Sequence, residues 1–452
     1  MRSSSKHFLM IGLMVFPLIA FTQQKLTFKE AVKIGLDNNL TLNQEENNLV
    51  ASRVAKSAGV MGFVPSVSIN GNAGRNDGNS FNQQQGQVVN GIVDFVGANI
   101  NASVPLFSGL GTVNTYRQSS SQYDAQMHLV KRTHQDVIRN IANQFLTCLL
   151  DQRLVAIQEK NLETQQQTYN QIQEQVAAGS RAEVDLYNQE YQVKNAELLL
   201  LRASITLKND KTTLAQTLQL DPLVAFEVQE PEWDINLADS EVLAVEEMNQ
   251  IALEQRSDLA RAKATEASSR FGYQVSKGTY YPNVSLFAQY GSRYNYIHPN
   301  PEFSPENRTF EQQFTEDNTQ LTYGLTFTIP IFTAFQSRST VVRNRVAYEN
   351  SKLLKENTEI TVKSDVIRAH ENYRDARSNY EAATAQLKAA ELSFNLEKER
   401  YGLGISDIVA LTLATQNYTR AQLDAESSKY TLMFQKLLIN YALGTLKFED
   451  IP

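Results

Sequence analysis

The sequence predicts a mainly α-helical chain with a transmembrane β-barrel contribution, built from two tandem structural repeats. Three observations predict it. Two stretches, 110–178 and 335–401, keep apolar or small residues every three or four positions with no proline. Each would be a helix of roughly 67 residues, about 100 Å long at 1.5 Å per residue. Four shorter stretches alternate apolar and polar residues with a period of two, as half-exposed strands do. The whole order of elements then occurs twice.

In chain order, residues 1–22 read as a cleaved signal peptide: Arg2 and Lys6, an apolar run from Phe8 to Phe21, then polar Gln23 and Gln24. No cysteine follows that run, so no lipid attachment at a new N-terminus is expected. The first repeat, 23–240, opens with one helix carrying Phe28, Val32, Leu36, Leu40, Val50 and Val54 on its apolar face. Strands 64–74 and 95–106 follow, separated by a polar Gly/Gln/Asn-rich loop from Asn72 to Asp94. The long helix 110–178 ends at Gly179, a helix 182–218 runs back, and Asp221-Pro222 stops it. A mixed equatorial segment, 219–240, contains Trp233 and is too short for a domain.

The second repeat, 241–452, has a helix 246–277, strands 281–291 and 321–332, the long helix 335–401, a helix 406–443 and a C-terminal tail. The stretch from Ile34 aligns without gaps with the stretch from Ile251, and Pro65 falls on Pro282. The break at Gly179 likewise matches the break at Gly404. The two shorter helices of each repeat sum to the length of its long helix, so end to end they can pair with it. Such rods need neighbours along their full length.

The strands set the environment. Leu321, Tyr323, Leu325, Phe327 and Ile329 alternate with Thr322, Gly324, Thr326 and Thr328, and each strand is about 10 residues long, enough to cross a bilayer at a tilt. Aromatic residues (Phe63, Phe107, Tyr281, Phe332) stand at the strand ends. Four strands cannot close a barrel, and an open edge is not viable in lipid. Three chains sharing twelve strands around a polar lumen is the simplest solution.

Composition limits the chemistry. The net charge is −7, from 42 Lys+Arg against 49 Asp+Glu, which leaves no footprint for nucleic acid. The one cysteine, Cys148, falls on an apolar helix stripe and reads as packing. His128 and His134 are six apart on a helix and do not form an i, i+4 metal pair. No catalytic, cofactor-binding or metal motif is present, so no enzyme activity is expected.

The duplicated strand–loop–strand–long-helix unit resembles the TolC-like outer membrane efflux family. The turn "RYGLGISDIVALTLATQNYTRAQLD" from Arg400, its counterpart "QVAAGSRAEVDLYNQEYQVKNAEL" from Gln175 and the start "LTFKEAVKIGLDNN" are all similar to that family's. The resemblance implies a homotrimer in the outer membrane of a Gram-negative bacterium: a 12-stranded barrel continued by a long periplasmic α-barrel. It implies a passive exit duct of a tripartite efflux or type I secretion system, served by a periplasmic adaptor protein and an inner-membrane pump. The adaptor-contacting tips would be Ala178, Gly179 and Ser180, with Leu403, Gly404 and Ile405. In the family's periplasmic gate, Tyr401 fits the tyrosine and Asp185 the first-half aspartate. The arginine position is Ser406 and two acidic positions are Ala410 and Leu413, so Glu183 and Asp407 are the expected substitute acids. The alternative expectation is a secreted coiled-coil structural or adhesive protein without a channel; an adaptor-type periplasmic protein would need lipoyl-like and barrel domains between its helices, and none is readable in the sequence.

Overall fold

The computed structural model describes residues 24–82, 86–221, 223, 226–231, 243–299 and 306–451. The expected signal peptide and Trp233 lie outside the described residues. The first half contains β1 (Gln24–Leu26), α1 (Phe28–Asn38), α2 (Leu40–Met61), β2 (Ser66–Asn82), β3 (Gln87–Ser108), α3 (Gly111–Ala177), α4 (Glu183–Thr217) and β4 (Phe226–Val228). The second contains α5 (Val245–Gln255), α6 (Ser257–Gly278), β5 (Asn283–Ile297), β6 (Gln320–Thr328), α7 (Gln336–Gly402) and α8 (Ile408–Leu443).

Both long helices, α3 and α7, are 67 residues. The shorter helices pair along them: α1, α2 and α4 on α3, and α5, α6 and α8 on α7, with α3 also packed on α6. The helix expected from Leu26 to Val60 is in fact two helices. It breaks at Asn39, whose extended backbone ends α1 and whose Oδ1 caps α2 by accepting from Leu42 N at 2.9 Å. The helix expected over 246–277 breaks at the equivalent Arg256, again in extended backbone. No glycine or proline marks either break, so the helical periodicity runs through them unchanged.

Four strands form one antiparallel sheet in the order β2-β3-β5-β6. The register sorts its faces. One row across the sheet is Ile69, Ile100, Tyr290 and Leu321; the next is Val67, Ala102, Ala288 and Tyr323. The intervening rows are polar: Asn70, Asn99, Gly291 and Gln320, then Ser68, Asn101, Gln289 and Thr322. Ile69 is 75% exposed and Tyr323 is 75% exposed, so the apolar face is bare within the chain. A bare apolar face backed by a polar one, with both edge strands unpaired among the described residues, is what one share of a transmembrane barrel requires. No described helix is long and apolar enough to cross a membrane.

The expected loop from Asn72 to Asp94 is mostly strand. β2 and β3 continue pairing in register out to Asn82 and Gln87, because the ladder tolerates Asn, Gly and Gln where neither face must be apolar. β6 is short, ending at Thr328 before Pro330, which cannot donate to a ladder. Beyond its other end the edge of β5 is closed by amides: Gln313 and Asn307 bond the main chain of Asn295 and Ile297 at 2.7–3.1 Å.

The main core sits at the middle of the rods. Phe28, Phe145 and Phe434 meet edge to face, with Phe28 5.3 Å from each of the others. β1 and β4 pair in parallel beside them, and Leu446 and Ile451 of the tail are buried in the same cluster. Cys148 is fully buried there, and burial pushes its thiol up to about 12.

Candidate functional site

At the end farthest from the sheet, α3 turns into α4 and α7 turns into α8. Both turns have one geometry. Ala178 and Leu403 cap the long helices in right-handed backbone, and Gly179 and Gly404 follow at φ +74°. Ser180 N donates to Gln175 O and Ile405 N to Arg400 O, both at 2.9 Å, the 6→1 bond of a Schellman cap. A Cβ at either glycine would meet nothing within 4 Å, so the glycines are required by their left-handed backbone rather than by space.

The side chains differ between the turns. Leu403 is 75% and Ile405 66% exposed, so the second tip presents apolar surface. In the first, Ser180 Oγ bonds Gln175 O at 2.9 Å. Behind the tips, Ile172, Tyr401, Ile408 and Leu411 form a small core that draws α3, α7 and α8 together. Tyr401 is 3% exposed, yet its hydroxyl is satisfied: Arg181 donates to it, and the guanidinium lies 4.3 Å from the ring centroid. Burial raises the Tyr401 pKa, with Arg181 opposing and Asp185 reinforcing the shift. The phenol therefore stays neutral and accepts from Arg181 across the neutral pH range.

Arg181 was not among the expected gate residues. With Gly179 set on Gly404, it is the repeat mate of Ser406, the position where the resemblance calls for an arginine. The internal alignment could have found it: the arginine is present, but in the other half. Ser406 instead donates to Glu397, which also pairs with Arg400 at 3.3 Å.

The expected acids are placed unequally. Glu183 and Asp185 lie in the first turn of α4, where negative charge complements the helix dipole. The Asp407 Oδ1 accepts from Ala410 N at 2.8 Å and is the N-cap of α8. Among the described residues, no group of three His, Cys, Asp or Glu could hold a metal ion.

A bare-faced sheet, paired rods and duplicated tips define a subunit of an outer-membrane channel. The chain belongs to the outer membrane efflux protein family, whose pattern matches residues 32–218 and 249–437, one block in each repeat. This is a family of channels rather than enzymes, seated in the Gram-negative outer membrane with a long periplasmic helical extension. No curated protein matches the chain at the level of sequence. The fold is similar to the outer membrane protein VceC of Vibrio cholerae, with a TM-score of 0.80 at 14% identity over 92% of this chain and 96% of that one. It is also similar to the CmeC outer membrane channel of Campylobacter jejuni, with a TM-score of 0.78 at 17% identity over 94% and 87%. The MtrE outer membrane channel of Neisseria gonorrhoeae in its open state gives 0.74 at 17% identity over 93% and 89%.

Proposed function

We propose that the chain is the passive exit duct of a tripartite efflux or type I secretion system. It assembles as a homotrimer and receives substrates from an inner-membrane pump through a periplasmic adaptor. The observation that carries this reading is the four-stranded sheet with two unpaired edges, joined directly to 67-residue helices. Three copies supply twelve strands, the number that leaves a water-filled lumen, and so satisfy every edge. Energy comes from the pump.

In this reading residues 1–22 direct export and are removed, and the segment 219–240 belongs to a belt around the rods. Ala178, Gly179, Ser180, Leu403, Gly404 and Ile405 meet the adaptor, with Leu403 and Ile405 as its apolar anchors. The Arg181–Tyr401 contact holds the turn between α3 and α4 against α7 and keeps the mouth narrow, while Asp185, Glu183 and Asp407 give it an acidic rim. The trimer is tested in detergent-extracted outer membranes. Bands that run as trimers until heated are expected; recovery as a soluble rod would overturn the reading.

A further inference from the structure

Above the middle of the rods, α2, α3, α6 and α7 form a row in that order, each packed on the next. One face of this row holds a groove of about 490 Å³. Ser52 on α2 and Asn344 on α7, from the two outer helices, both line it, together with Gln118 and Gln122 on α3 and Arg261 and Thr265 on α6. In a row of four helices only the concave side brings side chains of the outer pair to a common groove. When rows close around an axis, that side is the lumen.

The polar side chains of the lining are amides and hydroxyls with one charge, set beside Ala125, Gly272 and Ala347. Gly272 leaves room for the Gln118 amide against α6, since a Cβ there would meet Gln118 Nε2 at 2.9 Å. The bordering carboxylate of Glu45 is engaged at 2.7 Å by Gln126. Arg261 is exposed, and among the described residues no ion pair neutralises it. Its neighbours differ: Arg256 is held by Asp258 and Asp365, and Lys355 by Glu266 at 2.7 Å. A guanidinium left free among uncharged donors suits the carboxylate or phosphate of a solute in transit.

We propose that Arg261 gives the duct wall a preference for anionic solutes, repeated once per protomer around the lumen. This rests on the duct reading above. The test is the reversal potential of the full-length protein in planar bilayers under a KCl gradient near 0.1 M. Arg261→Gln should lower the chloride-to-potassium permeability ratio by about threefold, and Arg261→Glu further. The difference should fade near 1 M salt, where the Debye length falls to about 3 Å. An unchanged ratio at low salt overturns the inference and leaves the duct reading intact. Absence of any conductance from the unsubstituted protein overturns both. Because Cys148 is fully buried, Arg261→Cys offers a second route: a cationic thiosulfonate should restore the ratio and an anionic one lower it. No effect from either reagent also overturns the inference.

Discussion

The two repeats share a backbone and differ in what their equivalent side chains do. At the tips, Gly179 and Gly404 have the same φ of +74°, but Arg181 reaches Tyr401 while Ser406 reaches Glu397. At the breaks in the shorter helices, Asn39 and Arg256 occupy the same position with φ of −63° and −68°. Asn39 caps the following helix. Arg256 makes no such cap; it is 2% exposed and joins Asp258, Asp365 at 2.9 Å and the Ala442 carbonyl, tying α6 to α7 and α8. Burial disfavours its charge, but the two aspartates outweigh that and raise its pKa. Duplication preserved the main-chain turns, and divergence reassigned the side chains: at the breaks the first half caps locally and the second pairs ions at long range, whereas at the tips the first half makes the long-range contact and the second the local one.

The sharpest way to break this comparison is to truncate both members of the pair. Arg256→Ala leaves Asp258 and Asp365 without their buried cation, and about 3–5 kcal/mol of stability should be lost. Asn39→Ala removes one cap and should cost about 1 kcal/mol. Thermal unfolding of the purified protein checks both, and equal losses would contradict the contrast.

A smaller effect separates the long helices. Asp151 on α3 faces Asp210 on α4, whereas the repeat mates are Ala376 and Gln435. Burial, then the hydrogen bond and charge of Asp210, push the Asp151 carboxyl up to about 7. The folded chain therefore keeps this proton to higher pH than the unfolded chain does. Its contribution to stability is full below about pH 4 and is lost as pH rises through about 7. Asp151→Asn should flatten that slope and add at most about 1 kcal/mol at pH 8, once solvent screening of a partly exposed pair is allowed for. Unfolding midpoints at pH 5 and pH 8 decide it, and an unchanged slope would contradict the assignment.

The fold was legible wherever a period was long. The strand alternation, the uninterrupted runs of α3 and α7 and the glycines at the turns all announce themselves in sequence. The breaks at Asn39 and Arg256 do not, because neither residue forbids helix and the apolar period continues past them. The outer halves of β2 and β3 read as loop because their pairing comes from register, not from a buried face. At the tips, the positions of Tyr401 and Asp185 could be read from the resemblance. The resemblance alone does not give the Arg181 partner; only setting the two repeats on each other exposes it, since the contact joins residues 220 apart in sequence and exchanges the roles of the two repeats.

In the proposed duct, the Arg181–Tyr401 contact holds the tips narrow. One measurement tests it most directly: the single-channel conductance of the purified trimer against that of Arg181→Ala. A hydrogen bond from a charged donor is worth about 2 kcal/mol, roughly a thirtyfold shift between closed and open mouths. A small resting conductance that rises severalfold in the variant is expected. Identical conductance in the two proteins would contradict it.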